Sequence, residues 1–178
     1  MVDTNTFLFL CRRCGACCRG EGVVFLYPED IGPIAQRLAI SPQKVVDCYT
    51  EFVVMEVPEK DGCWLYIPFL LLRKNRSKAC LFLKDNLCTI QDVKPFQCRE
   101  TPFVNEFFVD PVWRYEIMKK CPALCEMDEK KIPDVTPRSP HDRDHAYFTL
   151  LVEHRYNLER ILGVVLPPPR LITAQEMR

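Results

Sequence analysis

Cys11-Arg12-Arg13-Cys14-Gly15-Ala16-Cys17-Cys18 places four thiols within eight residues near one end of a 178-residue chain. Two consecutive Cys-x-x-Cys steps let one turn of backbone aim several sulfurs at a single point. That arrangement chelates a thiophilic ion or an iron–sulfur cluster. Gly15 suits the reversal between the steps, because a residue without Cβ adopts positive φ at no steric cost. Neighbouring side chains diverge, so Cys17 and Cys18 are expected to serve two different metals, or one a metal and the other the core. A metal site is therefore the first constraint on the fold.

Eleven cysteines could also mean disulfides, and the compartment decides between the two. The segment Met1–Leu10 lacks a basic leader, and its apolar run is confined to Phe7–Leu10. The longest apolar run, Cys63–Leu72, is too short for a membrane-spanning helix. These features point to a cytoplasmic chain with reduced thiols, whose clustered cysteines read as ligands. Lys plus Arg and Asp plus Glu balance at 24 each, so no large basic surface for nucleic acid is indicated. A zinc ribbon would want a second Cys-x-x-Cys, whereas Cys121 and Cys125 are separated by three residues.

With 48% hydrophobic and 11% aromatic residues the chain is globular. Val23–Leu26 reads as a short strand. Pro28-Glu29-Asp30 opens a helix, with Ile31, Ile34, Ala35 and Leu38 at the i, i+3, i+4, i+7 spacing of a buried stripe. Ser41-Pro42 starts a second helix as N-cap and first helical residue, with Val45, Val46 and Tyr49 inward; Cys48 on it reads as a small hydrophobe. Phe52–Val57 and Cys63–Ile67 read as strands, and Pro68 makes the latter an edge strand or two pieces. Arg73–Lys78 reads as a solvated basic loop. Cys80–Leu83 and Leu87–Ile90 flank Lys84-Asp85-Asn86 as a hairpin, bringing Cys80 and Cys88 to its two sides. Asp92–Pro95 is a short helical turn that delivers Cys98. Phe103–Val109 and Val112–Met118 read as further strands, His141–Leu162 as a last helix, and the residues after Pro167-Pro168-Pro169 as a loose tail. The expected class is α+β: a small metal-organised domain with short helices, β-hairpins and a C-terminal helix. Residues 1–126 form the cysteine-cluster domain, 127–140 a linker, and 141–178 the helix and Pro-containing tail.

Cys11-x-x-Cys14-Gly15-x-Cys17-Cys18, Pro28-Glu29-Asp30-Ile31, Cys80-x-Phe82-Leu83-x-x-Asn86-x-Cys88-x-Ile90 and Lys94-Pro95-x-x-Cys98-Arg99-x-x-Pro102-Phe103 follow in this order. In that combination the chain resembles the bacterial CxxCxxCC, or YkgJ-like, cysteine-cluster family of zinc- or iron-chelating proteins. The resemblance implies cysteine coordination of zinc or iron and no single shared reaction. The residues themselves give Cys11, Cys14, Cys17, Cys18, Cys80, Cys88 and Cys98 as ligands, with Cys121 as the natural eighth. Eight thiolates divide into two four-ligand sites. Alternatively, Cys11, Cys14 and Cys17 with the remote Cys121-Pro122 are similar to ferredoxin-type [4Fe–4S] ligation. Arg12, Arg13, Arg19 and Arg99 stand beside these ligands and could offset their charge. Cys63 and Cys125 read as buried or incidental. His141 and His145 stand one helical turn apart, a spacing that can chelate metal, though without the Glu of a zinc protease.

Three functions follow: a non-catalytic zinc, iron or iron–sulfur protein, a protein-modifying enzyme, or a redox or metal sensor. Some proteins that resemble this family are lysine N-methylases, yet six glycines and no Gly-rich loop leave S-adenosylmethionine without an evident cradle. The sensor would use reactive thiolates as its switch.

Overall fold

The computed structural model describes residues 11–19, 22–58, 62–102, 110–125 and 141–173, with the side chains of 141–145 left aside. The elements in chain order are β1 (Phe25–Leu26), α1 (Pro28–Leu38), α2 (Pro42–Tyr49), β2 (Thr50–Pro58), β3 (Trp64–Leu72), β4 (Leu83–Lys84) and β5 (Leu87–Cys88). There follow α3 (Phe96–Glu100), α4 (Pro111–Lys120), α5 (Pro122–Cys125), α6 (His141–Glu153), α7 (Leu158–Leu162) and β6 (Arg170–Thr173). The class is α+β, as the sequence leads one to expect.

A four-stranded sheet in the order β1-β3-β2-β6 forms the scaffold. β2 and β3 pair antiparallel over their full nine residues, from Thr50↔Leu72 to Pro58↔Trp64. Pro68 does not break β3. Its carbonyl accepts a 2.6 Å hydrogen bond from the Tyr147 hydroxyl, and a strand residue points its N–H and C=O the same way, so the missing donor faces away from β2. β1 pairs only with Leu70 and Leu71, which leaves Pro68 on an edge, where proline is tolerated.

Ser41 caps α2 by accepting from the Lys44 amide at 3.2 Å, and Pro42 takes the first helical position. Ile34, Val45, Val46, Leu70, Phe82, Ile90, Tyr147, Leu151 and Leu158 meet in one buried cluster. That core therefore draws on both helices, the sheet, the 80–90 segment and the chain beyond residue 140.

Three expectations are corrected. Residues 112–118 are helical, within α4, because Asp110 Oδ1 accepts from the Val112 and Trp113 amides and Pro111 occupies the first turn. The single helix over 141–162 is two: Arg155 and Tyr156 take positive φ, and Asn157 caps α7 by accepting from the Arg160 amide at 2.9 Å. Residues 170–173 are not a tail but β6, parallel to β2 from Val53↔Arg170 to Glu56↔Thr173. The strand expected over 103–109 lies outside the described residues, as do the side chains of His141 and His145. No helix among the described residues is long and apolar enough to cross a membrane.

Tyr147 ties α6 to the sheet, its ring edge-on to Tyr27 at 5.6 Å and its hydroxyl on Pro68. Burial pushes its phenol above the usual range. A raised folded value means its contribution is whole below the unfolded value of about 10 and falls away as the pH climbs beyond it. Tyr147→Phe, which strands the Pro68 carbonyl, is expected to cost about 1–3 kcal/mol at neutral pH. It should also flatten the alkaline loss of stability relative to wild type, read from urea midpoints at neutral and alkaline pH.

Candidate metal centre

The cysteine loop is built around Gly15, which adopts φ 72° as its lack of a Cβ allows. A 3-10 turn over Ala16–Cys18 follows, closed by the Cys18 amide donating to the Gly15 carbonyl at 3.1 Å. A Cβ at Gly15 would stand 3.0 Å from the Arg19 guanidinium and from Leu83, and 3.3 Å from the Asn86 carbonyl oxygen. The loop is thus seated against the β4–β5 hairpin. Gly15→Ala adds both the positive-φ penalty, about 1 kcal/mol, and this crowding. Its expected result is a chain that stays folded by circular dichroism and retains less metal after anaerobic purification.

The hairpin has a two-residue turn, Asp85-Asn86, with both at positive φ, the requirement of a type I′ turn. It is shorter than the sequence suggests: only Leu83↔Cys88 and Lys84↔Leu87 pair. Cys80 lies outside that ladder, bridged to Lys74, and its amide donates to the Cys18 carbonyl at 2.8 Å. Phe82 stacks on Tyr49 at 4.8 Å and, with Ile90, plugs the segment into the core. Two apolar anchors therefore fix the stretch that carries Cys80 and Cys88. Cys98 comes from the middle of α3.

The electrostatics report which thiols share a neighbourhood. The Cys17 thiol donates to Cys18, which raises Cys17 and lowers Cys18. Cys18 also feels Cys80, Cys88 and Cys98. Burial pushes Cys98 up to about 12, with Cys80, Cys17 and Cys88 adding to the rise. Burial likewise raises Cys80, helped by Cys88 and Cys17. Five thiols from three chain segments, at 17, 18, 80, 88 and 98, thus interact. Cys121 is raised by burial and then by Cys14 and Cys17, against the opposing amides of Leu124 and Ala123. Cys17 belongs to both neighbourhoods. Cys11 is exposed, its sulfur accepting from the Arg13 amide at 3.4 Å.

Among the described residues no group of three or more His, Cys, Asp or Glu side chains stands at the spacing that holds a metal ion. The donor set nonetheless fits a soft cation in its chemistry, since several thiols adjoin one another. A bound ion would have to draw the sulfurs closer than they stand. No disulfide links the eleven cysteines, all of which are described. Cys63 and Cys125 are exposed rather than buried, and Cys48 is half-buried.

The cations around the thiols are not all those expected from adjacency. Arg19 donates to the Cys14 carbonyl at 3.4 Å and to Asn86 Oδ1. Arg99 donates to the Lys94 carbonyl at 2.6 Å and faces Asp30 at 3.9 Å. Lys94 lowers both Cys17 and Cys98, and Lys74 lowers Cys80. Lys94 stands two residues before α3 in extended backbone, so no helical periodicity links it to Cys98. The backbone bridge to Cys80 sets Lys74 beside that residue, while its ammonium donates to the Gly22 carbonyl; no local pattern announces that pairing.

A family model described as "CxxCxxCC: Putative zinc- or iron-chelating domain" matches residues 10–126. No curated protein and no solved structure matches the chain.

Proposed function

This chain belongs to the CxxCxxCC family, and from that premise we propose that Cys11, Cys14, Cys17, Cys18, Cys80, Cys88, Cys98 and Cys121 hold zinc or iron. The observation that carries the reading is the docking of the Cys11–Cys18 loop onto the segment that bears Cys80 and Cys88. There the Cys80 amide donates to the Cys18 carbonyl at 2.8 Å and Arg19 donates to Asn86 Oδ1. Eight thiols divide into two four-ligand centres, with the vicinal pair Cys17-Cys18 as their junction. Zinc would supply a structural crosslink, and an iron–sulfur cluster a site for one electron. Lys94 and Lys74 offset part of the thiolate charge, since four thiolates around one divalent ion leave about −2. Phe82 and Ile90 keep water from the inner side of the Cys80–Cys88 segment.

Anaerobic purification followed by elemental analysis and visible spectroscopy tests this. The expected result is zinc or iron at about one equivalent or more per chain, with brown visible absorption if the iron is in a cluster. A chain carrying neither metal would overturn the reading.

A further inference from the structure

Asp30 is buried in the first turn of α1, and its carboxylate holds two parts of the chain together. Oδ2 accepts from the Tyr27 amide at 3.0 Å, closing the start of its own helix. Oδ1 accepts from the Phe96 amide, also at 3.0 Å, at the first residue of α3. The Arg99 guanidinium stands 3.9 Å from the same oxygen. α3 is also tied to the scaffold where the Phe25 amide of β1 donates to Gln97 Oε1 at 2.7 Å. The Phe96 ring meets Tyr27 edge-on at 5.9 Å. Both anchored residues, Phe96 and Gln97, immediately precede Cys98.

A buried carboxylate is costly unless hydrogen-bonded, and burial does push this one above its ordinary range against the amides and Arg99. An apolar residue would fill the same space without that cost. We infer that Asp30 is a positioning residue: it docks the first turn of α3 so that the Cys98 thiol is presented to Cys17, Cys80 and Cys88. Its consequence for metal rests on the metal-binding reading above, whereas the docking itself does not.

Two readouts separate these. In the metal-free chain, timed alkylation with N-ethylmaleimide and mass spectrometry measures the exposure of Cys98, with exposed Cys63 as internal standard. Asp30→Asn keeps the shape but loses the charge, and it is expected to speed Cys98 labelling about tenfold while Cys63 is unchanged. Anaerobic Co2+ titration then reads thiolate ligation through sulfur-to-cobalt charge transfer. Wild-type protein is expected to show these bands, and Asp30→Asn to bind about tenfold more weakly, the lower end of the loss seen when a group that orients a metal ligand is removed. Combined with Cys98→Ser the two losses should not add, because they remove one ligand by two routes. Asp30→Glu keeps the carboxylate but displaces it by one methylene from the Tyr27 and Phe96 amides. It is expected to speed Cys98 labelling measurably, though less than Asp30→Asn, and it supplies the readout if the asparagine variant does not fold. Unchanged Cys98 labelling in both variants overturns the inference, as does additivity with Cys98→Ser. Wild-type protein lacking the charge-transfer bands would instead overturn the metal reading, and the labelling would still decide the role of Asp30.

Discussion

Stripping the metal with a chelator under anaerobic conditions is expected to lower the melting temperature of this protein by about 8–16 °C. The figure follows from linkage. An ion present at about a thousand times its dissociation constant stabilises the folded state by about 4 kcal/mol, and each kcal/mol moves the midpoint about 2–4 °C in a chain of this size. The effect should stop short of complete unfolding, because the sheet and the α1–α2 pair have an apolar core of their own in Ile34, Val45, Val46 and Leu70. Cys88→Ser and Cys14→Ser remove a sulfur from different parts of the thiol set, and each is expected to lower metal content and melting temperature together. Differential scanning with matched elemental analysis checks both. A Cys88→Ser protein with full metal and an unchanged midpoint would mean that the hairpin and the Cys11–Cys18 loop are independent.

Leu151→Ala is expected to remove about 2–5 kcal/mol, the range for a large-to-small change in a core that relaxes only partly. Leu151 is 0% exposed in α6 and packs in the same cluster as Ile34 and Leu70. The sharper part of the prediction concerns cooperativity. Because that cluster spans the chain on both sides of residues 127–140, the variant should melt in one transition at a lower temperature, monitored together by far-ultraviolet circular dichroism and aromatic fluorescence. Two separated transitions, with only the helical signal shifted, would show α6 to be a detachable unit.

What could be read from the residues alone was what local chemistry decides. Pro28 with Ile31, Ile34 and Ala35 announces α1, and Ser41-Pro42 announces α2, because caps and periodic stripes act within one or two turns. Gly15 at φ 72° and Asp85-Asn86 at the hairpin turn were likewise legible, since few residue types accept those conformations. Residues 112–118 misled because Trp113, Tyr115 and Ile117 alternate like a strand, while the deciding group, the Asp110 side chain, lies just before them. The cationic neighbours misled similarly. Adjacency in sequence nominated Arg19 and Arg99, but guanidinium groups reach carbonyls and a buried carboxylate, whereas Lys74 and Lys94 are placed by tertiary contacts. β6 was invisible because Arg170–Thr173 has no pattern of its own and gains its conformation from β2.

That last strand has a kinetic consequence. Residues 53–56 pair with 170–173, so the sheet cannot be finished until nearly the whole described chain has left the ribosome. Closing so long a loop adds little to the equilibrium cost, about 0.6 kcal/mol per doubling of length. Contacts of such high sequence separation nevertheless slow folding. During synthesis the outer edge of β2 stays open, and the thiols at 11–18, 80, 88 and 98 all emerge before β6. The nascent chain can therefore present its sulfurs to metal, or to oxidants, before the edge of its own scaffold is sealed.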